Sequence, residues 1–174
     1  MLLAIKNKLS YALLLFAAIG FNLSCGIYSF TGASIPPTMK TVSVDFFENN
    51  APLVVSYLST DFTEALKERI RNQSSLSMVR TDADASFSGR ITGYTINPTA
   101  VQGNDRAGLN RLSITVSVKY TNSVNPTYNF DESFTRFKDF STNAGPIQSQ
   151  EQQLIKEINT MLTEDIFNRA FANW

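Results

Sequence analysis

Cys25 is the only thiol in a chain that contains no histidine. Those two facts remove the commonest general base and the commonest zinc ligand together. A Ser-His-Asp triad, a Cys-His pair, a zinc site of the usual type and an internal disulfide are all excluded. Carboxylate-only and lysine-based chemistry remain. The carboxylates to consider are Asp82, Asp84, Asp131, Glu132, Glu164 and Asp165. None falls in a metal-binding or hydrolase spacing. Asp82 and Asp84 read as turn residues before a strand, and Glu164-Asp165 as the solvated face of a helix. The glycines of "GRITGYTIN" make no dinucleotide fingerprint, because no helix follows them. "VQGNDRAG" lacks the Gly-Lys-Ser/Thr ending of a phosphate loop.

The cations are the other group that chemistry can use. Lys plus Arg equals Asp plus Glu, 15 of each, so the chain is neutral overall. A nucleic-acid partner would call for a basic excess on one face, and none is expected. Arg90, Arg111 and Lys119 lie on the polar phases of their strands, with Arg136 and Lys138 near the end of the next one. One reading is ordinary strand solubility, in which basic residues also block edge pairing. The other is a platform for an anionic ligand. Periodicity leaves both open.

The elements that must position these residues follow from hydrophobic period. Lys40 to Phe47 alternates Val42, Val44 and Phe46 with Thr41, Ser43 and Asp45, a half-buried strand. A helix follows, capped at Asn50 with Pro52 in its first turn; Val55, Leu58, Phe62, Ala65, Leu66 and Ile70 form its apolar stripe. Leu76 to Arg80 is a short candidate strand. Ala85 to Asn97 is a longer one, whose Gly89 and Gly93 mark a bulge or a close backbone approach. Arg111 to Thr121 puts Leu112, Ile114, Val116, Val118 and Tyr120 on one side. After a turn at Asn122 to Pro126, Tyr128 to Phe140 pairs back. The last helix, Gln150 to Phe171, carries Leu154, Ile155, Ile158, Met161, Leu162, Ile166 and Ala170, with Phe167, Phe171 and Trp174 extending the apolar side. The expected class is α+β, a two-layer α/β sandwich. Two helices pack on a mainly antiparallel four-stranded sheet in the order β-α-β-β-β-α. Leu112, Ile114, Val116 and Val118 are expected beneath the helices, against Phe62, Leu66, Ile158 and Leu162.

Ahead of this domain stands a leader. Lys6 and Lys8 give a positive start, Leu9 to Phe21 is largely apolar, and Asn22-Leu23-Ser24 leads to Cys25. The run is too short for a comfortable membrane span and reads as a secretory signal. Ser24-Cys25-Gly26 resembles the bacterial lipobox, although Asn22 stands where that pattern has leucine. The expected division is a signal peptide over 1–24, a lipidated start and Gly/Ser/Pro-rich tether over 25–39, and one domain over 40–174. Acyl chains on Cys25 would hold the protein on a membrane.

Three stretches, "CGIYSFTGASIPP", "NPTAVQGNDRAGLNRLSITVSVKY" and "EDIFNRAFANW", resemble the lipopolysaccharide-assembly lipoprotein (LptE) family of Bacteroidetes-type bacteria. The resemblance spans the mature chain, and its motifs are not catalytic. It implies a non-enzymatic lipoprotein without cofactor or metal, anchored at the periplasmic face of the outer membrane. The implied partner is a large LptD-type β-barrel, the lipopolysaccharide translocon subunit, whose lumen the protein plugs and whose folding it aids. Lipopolysaccharide is then the implied ligand of Arg90, Arg111, Lys119, Arg136 and Lys138. The Pro98 to Asn110 loop is long for a hairpin connection, and its Gln102 and Asn104 are candidate barrel contacts. The alternatives are a free-standing envelope lipoprotein that binds lipid or glycan, and a carboxylate-dependent hydrolase.

Overall fold

The computed structural model describes residues 35–99 and 109–172. The leader, Cys25, Gln102, Asn104 and Trp174 lie outside the described residues. The elements run β1 (Thr41–Val44), β2 (Glu48–Asn49), α1 (Leu58–Gln73), β3 (Ser77–Met78), β4 (Ala85–Pro98), β5 (Leu109–Asn122), β6 (Phe130–Ser141) and α2 (Ile147–Phe171). Two 3-10 turns, Pro126–Tyr128 and Thr142–Ala144, flank β6.

The two-helix, α+β expectation holds, but the sheet has six strands and is mixed. Its order is β3-β1-β4-β5-β6, with β2 also paired to β4. The β4-β5-β6 meander is antiparallel. β1 runs parallel to both β3 and β4. The physical reason is the helix. A strand-helix-strand connection carries the chain back to the end where it started, so β1 and β3 must be parallel.

The stretch expected as one strand from Lys40 to Phe47 is interrupted. Val44 pairs with Phe87 and Glu48 with Arg90, so four steps on one strand match three on the other. The extra residue inverts the alternation. Phe46 is 57% exposed, contrary to the expected pattern, and Phe47 is fully buried. The Phe47 amide leaves the ladder and donates to Thr63 Oγ1 of α1 (3.1 Å). The helix also begins later than expected, at Leu58. Ahead of it Asn49 holds a local turn, its Oδ1 accepting from Ala51 N (3.0 Å) and its Nδ2 donating to Val55 O (3.4 Å).

The long hairpin follows the sequence more closely. Leu112, Ile114, Val116 and Val118 are fully buried and Tyr120 nearly so. Phe62, Leu66, Ile158 and Leu162 belong to the same buried cluster. α2 lies over β5 and β6, α1 over β1 to β3, and the helices pack on each other. Both marked glycines are used. Gly89 permits a close approach, since a Cβ there would meet Ser117 O at 2.1 Å and Phe47 Cε1 at 2.7 Å. Gly93 follows a bulge, because Ile91 pairs with Val116 but Gly93 with Thr115. The bulge re-phases β4, so that Tyr94 pairs with Ile114 and is buried, 2% exposed.

Candidate functional site: the open sheet face

The pairing register sorts every strand residue onto one of two faces. Ser86, Ser88 and Arg90 of β4 stand opposite Thr121, Lys119 and Ser117 of β5. β5 in turn sets Ser117, Thr115, Ser113 and Arg111 opposite Ser133, Thr135, Phe137 and Asp139 of β6. All are half-exposed or exposed, and they share the face turned away from the helices. Hydroxyls dominate it; Thr115 Oγ1 and Thr135 Oγ1 are 2.9 Å apart across the strands.

Three of the five predicted cations stand here. Arg90 and Lys119 occupy adjacent rows on a diagonal, which places their side-chain bases roughly 7–8 Å apart. Neither has an ion-pair partner among the described residues. Glu48 lies beside Arg90 in register and Asp131 beside Lys119, so the local charge is balanced. Arg111 is elsewhere, six residues before Ser117 along β5, or about 20 Å away. It is also engaged, with Nε 2.7 Å from Asp139 Oδ1 and Nη2 3.0 Å from Oδ2. Its guanidinium lies 3.7 Å from the centre of the Phe137 ring. The Arg111 hydrogen bond holds the Asp139 carboxyl below the usual carboxylate range.

Arg136 and Lys138 are not on this face. They stand opposite Ile114 and Leu112, on the side of the helices. Arg136 grips Asp165 of α2 through two bonds of 2.6 and 2.7 Å, and Lys138 Nζ lies 2.9 Å from Glu157 Oε2. Arg169 of α2 reaches back to Glu132 at 2.7 Å. These pairs pin α2 along the edge strand. Sequence reading left this facing open because Glu132, Arg136 and Lys138 interrupt the apolar phase of Phe130, Phe134 and Phe140.

Two of the carboxylates raised by the sequence, Asp84 and Asp82, sit at the start of β1 and in a turn. Asp84 Oδ2 accepts from Lys40 N (2.7 Å), Thr41 N (2.9 Å) and Thr41 Oγ1 (3.0 Å), closing the start of β1. The backbone donors hold its carboxyl below the usual range. Asp82 occupies a left-handed turn position, φ 54°. Among the described residues no group of three or more potential ligands could hold a metal ion, and no helix is long and apolar enough to cross a membrane.

One arrangement had no sequence signal. Glu151 of α2 receives two phenols, Tyr57 OH at 3.0 Å and Tyr94 OH at 2.6 Å. Burial, then the Glu151 hydrogen bond, pushes Tyr57 up to about 12 and Tyr94 up as well. The clasp joins the entry to α1, the bulged half of β4 and the first turns of α2.

Fold and site together define a two-layer α+β module with one helix-covered and one open, hydroxyl-rich sheet face. The profile of the lipopolysaccharide-assembly family, LptE, matches residues 39–170, and the chain belongs to that family of outer-membrane lipoproteins. No curated protein matches the sequence. Among solved structures it is similar to a hypothetical protein of Chlamydia trachomatis, with TM-score 0.54, 9% identity, and coverage of 78% of this chain and 99% of that one. It is also similar to the rare lipoprotein B of Shewanella oneidensis, with TM-score 0.50, 12% identity, and coverage of 74% and 92%. A minor lipoprotein of Acinetobacter baumannii has 15% identity, TM-score 0.49, and coverage of 75% and 91%. At these identities the likeness concerns the fold alone.

Proposed function

We propose that this protein is anchored at the periplasmic face of the outer membrane through acyl chains on Cys25, and that it plugs and supports an LptD-type lipopolysaccharide translocon barrel. The open sheet face carries this reading. A face of serines and threonines with balanced charges suits the polar interior of a large barrel, whereas an enzyme cleft or an apolar ligand pocket would ask for a different lining. Gln102 and Asn104 are the proposed contacts from the β4-β5 connection. Arg90 and Lys119, adjacent and without an ion-pair partner among the described residues, are the proposed contacts to lipopolysaccharide phosphate or carboxylate, and Arg111 is a secondary one. Arg136 and Lys138 are committed to α2.

The test is photo-crosslinking in cells, with the reactive residue at Ser117, Thr135, Gln102 or Asn104. The expected product is one adduct with a large outer-membrane barrel. Crosslinks to such a barrel from the helix layer alone would move the interface. Intact-mass analysis of the same preparation should give a chain that starts at Cys25 with added acyl mass; an unmodified chain would remove the anchor. Replacing Arg90 and Lys119 with glutamine should weaken lipopolysaccharide binding, increasingly so at low salt. Unchanged binding by a folded variant would leave the plug without the ligand contact.

A further inference from the structure

β6 is the last strand of the sheet, 12 residues long, and its pairing to β5 runs without a register shift. The ladder fixes the side to which each backbone group points. Thr99 N donates to Leu109 O and Ser123 N to Asp84 O, so the odd-numbered residues of β5 turn their backbone toward the β4 side. The even-numbered ones bond β6, where Leu112, Ile114, Val116 and Val118 stand opposite Lys138, Arg136, Phe134 and Glu132. The N–H and C=O groups of Asp131, Ser133, Thr135, Phe137 and Asp139 therefore point out of the sheet edge. No hydrogen bond among the described residues takes them up.

An open edge of this length is usually blunted by proline, a bulge or inward-pointing charge. β6 has no proline and no bulge. Its helix-side charges are neutralised within the chain, Glu132 by Arg169, Arg136 by Asp165 and Lys138 by Glu157. Phe134, half-buried, packs against the core from this edge. The stretch around it, Asp131-Glu132-Ser133-Phe134-Thr135-Arg136-Phe137, is self-complementary. Reversed about Phe134, it sets glutamate against arginine, serine against threonine and phenylalanine against itself. We propose that two copies of this chain join through β6 as antiparallel strands, about a twofold axis at Phe134, to make one continuous sheet. Ser133 pairs with Thr135 of the second copy, and Asp131 with its Phe137, through the outward backbone groups. On the helix side Glu132 stands opposite Arg136 of the second copy, and the two Phe134 rings meet at the axis. Charges then alternate across the seam in the order Arg169, Glu132, Arg136, Asp165. Neighbouring axes fit less well. One at Thr135 sets Asp131 against Asp139, and one at Arg136 sets that residue against itself. The surface is the sheet edge and not the open face, so the inference is independent of the barrel reading.

The experiment is sedimentation velocity of the full-length protein in density-matched detergent, over a micromolar concentration series. The wild-type chain should form a dimer that dissociates on dilution. Thr135→Pro removes an outward N–H without touching the β5 ladder, and the folded variant should be monomeric. Glu132→Arg and Arg136→Glu each set like charges against one another twice in a symmetric pair. Each alone should raise the dimer dissociation constant about tenfold. Mixed in equal amounts, the two variants are complementary again and should recover the dimer. Circular dichroism checks that each variant is folded, and the mixing result decides the matter by itself if the proline variant is not. A monomeric wild type overturns the proposal. So does a dimer that persists in folded Thr135→Pro, as one held by acyl anchors or by another surface would, or a mixture that associates no better than its parts.

Discussion

Gly89 sits where a single methyl group is excluded. An added Cβ would lie 2.1 Å from the Ser117 carbonyl oxygen, which belongs to the ladder and cannot rotate away. Phe47 occupies the remaining space, packed edge-on against Phe62 with ring centres 5.1 Å apart. The missing side chain is therefore what lets a residue of the interrupted first strand reach the core. Gly89→Ala should destabilise by about 1–3 kcal/mol, the usual cost of overpacking, seen as a lower denaturant midpoint. Phe47→Leu combined with it should recover little, because the backbone clash remains. An unperturbed Gly89→Ala protein would mean that β4 and β5 are less closely apposed. The contrast with Arg111 is instructive. Its bonds to Asp139 are short, but both partners are about 40% exposed, so solvent screening leaves the pair little weight in stability.

At the scale of elements, α2 is fixed by two different devices. Along β6 it uses the exposed pairs to Arg136, Lys138 and Glu132, each worth about 0–1 kcal/mol. At its start it uses Glu151, whose carboxylate holds the buried Tyr94 hydroxyl. Glu151→Ala should cost about 1–3 kcal/mol, because Tyr94 then keeps a buried donor without that acceptor. Tyr94→Phe should cost less, since the donor goes with the bond, and Glu151→Ala added to Tyr94→Phe should cost less than it does alone. Urea titrations of the three variants measure this; strictly additive losses would mean that Glu151 acts only through Tyr57 or through helix packing. The same element shows why the sequence was legible in places. α2 repeats buried doublets, Leu154-Ile155, Ile158-Asn159, Leu162-Thr163, Ile166-Phe167 and Ala170-Phe171, and β5 alternates without a break because one face is wholly buried. Such periods are visible in one dimension. The parallel pairing of β1, the inversion at Phe46-Phe47 and the facing of Arg136 are not. Each depends on which strand lies alongside, and composition carries no record of that. The hydroxyl-rich face was legible as a polar phase, but the Arg111–Asp139 and Arg136–Asp165 pairs required the register and the helix position.

Across the whole molecule, the absence of histidine fixes the shape of the pH response. No side chain of ordinary pKa changes charge between about pH 5 and 8, so the thermal midpoint should be flat there. The acid limb comes from Glu64, Asp84, Asp139 and Glu157, all held below their ordinary values by hydrogen bonds. In acid the unfolded chain takes up their protons first. The stability they contribute is therefore complete above about pH 4.5 and is lost as pH falls through their lower folded values. The alkaline limb has the opposite cause. Tyr57 and Tyr120 are pushed up to about 12, chiefly by burial, and Tyr94 is raised too. Above about pH 10 the unfolded chain releases phenolic protons that the native state retains, so the native state binds more protons and stability falls as pH rises. Circular-dichroism melts from pH 2 to 11 should give a plateau with a shoulder at each end. Tyr120→Phe keeps the ring contacts and removes only the buried hydroxyl that accepts from Asn122 Nδ2 (3.4 Å), so it should lower the plateau slightly and make the alkaline fall shallower. A wild-type transition centred between pH 6 and 8, or an alkaline limb indifferent to Tyr120, would show that groups other than these set the response.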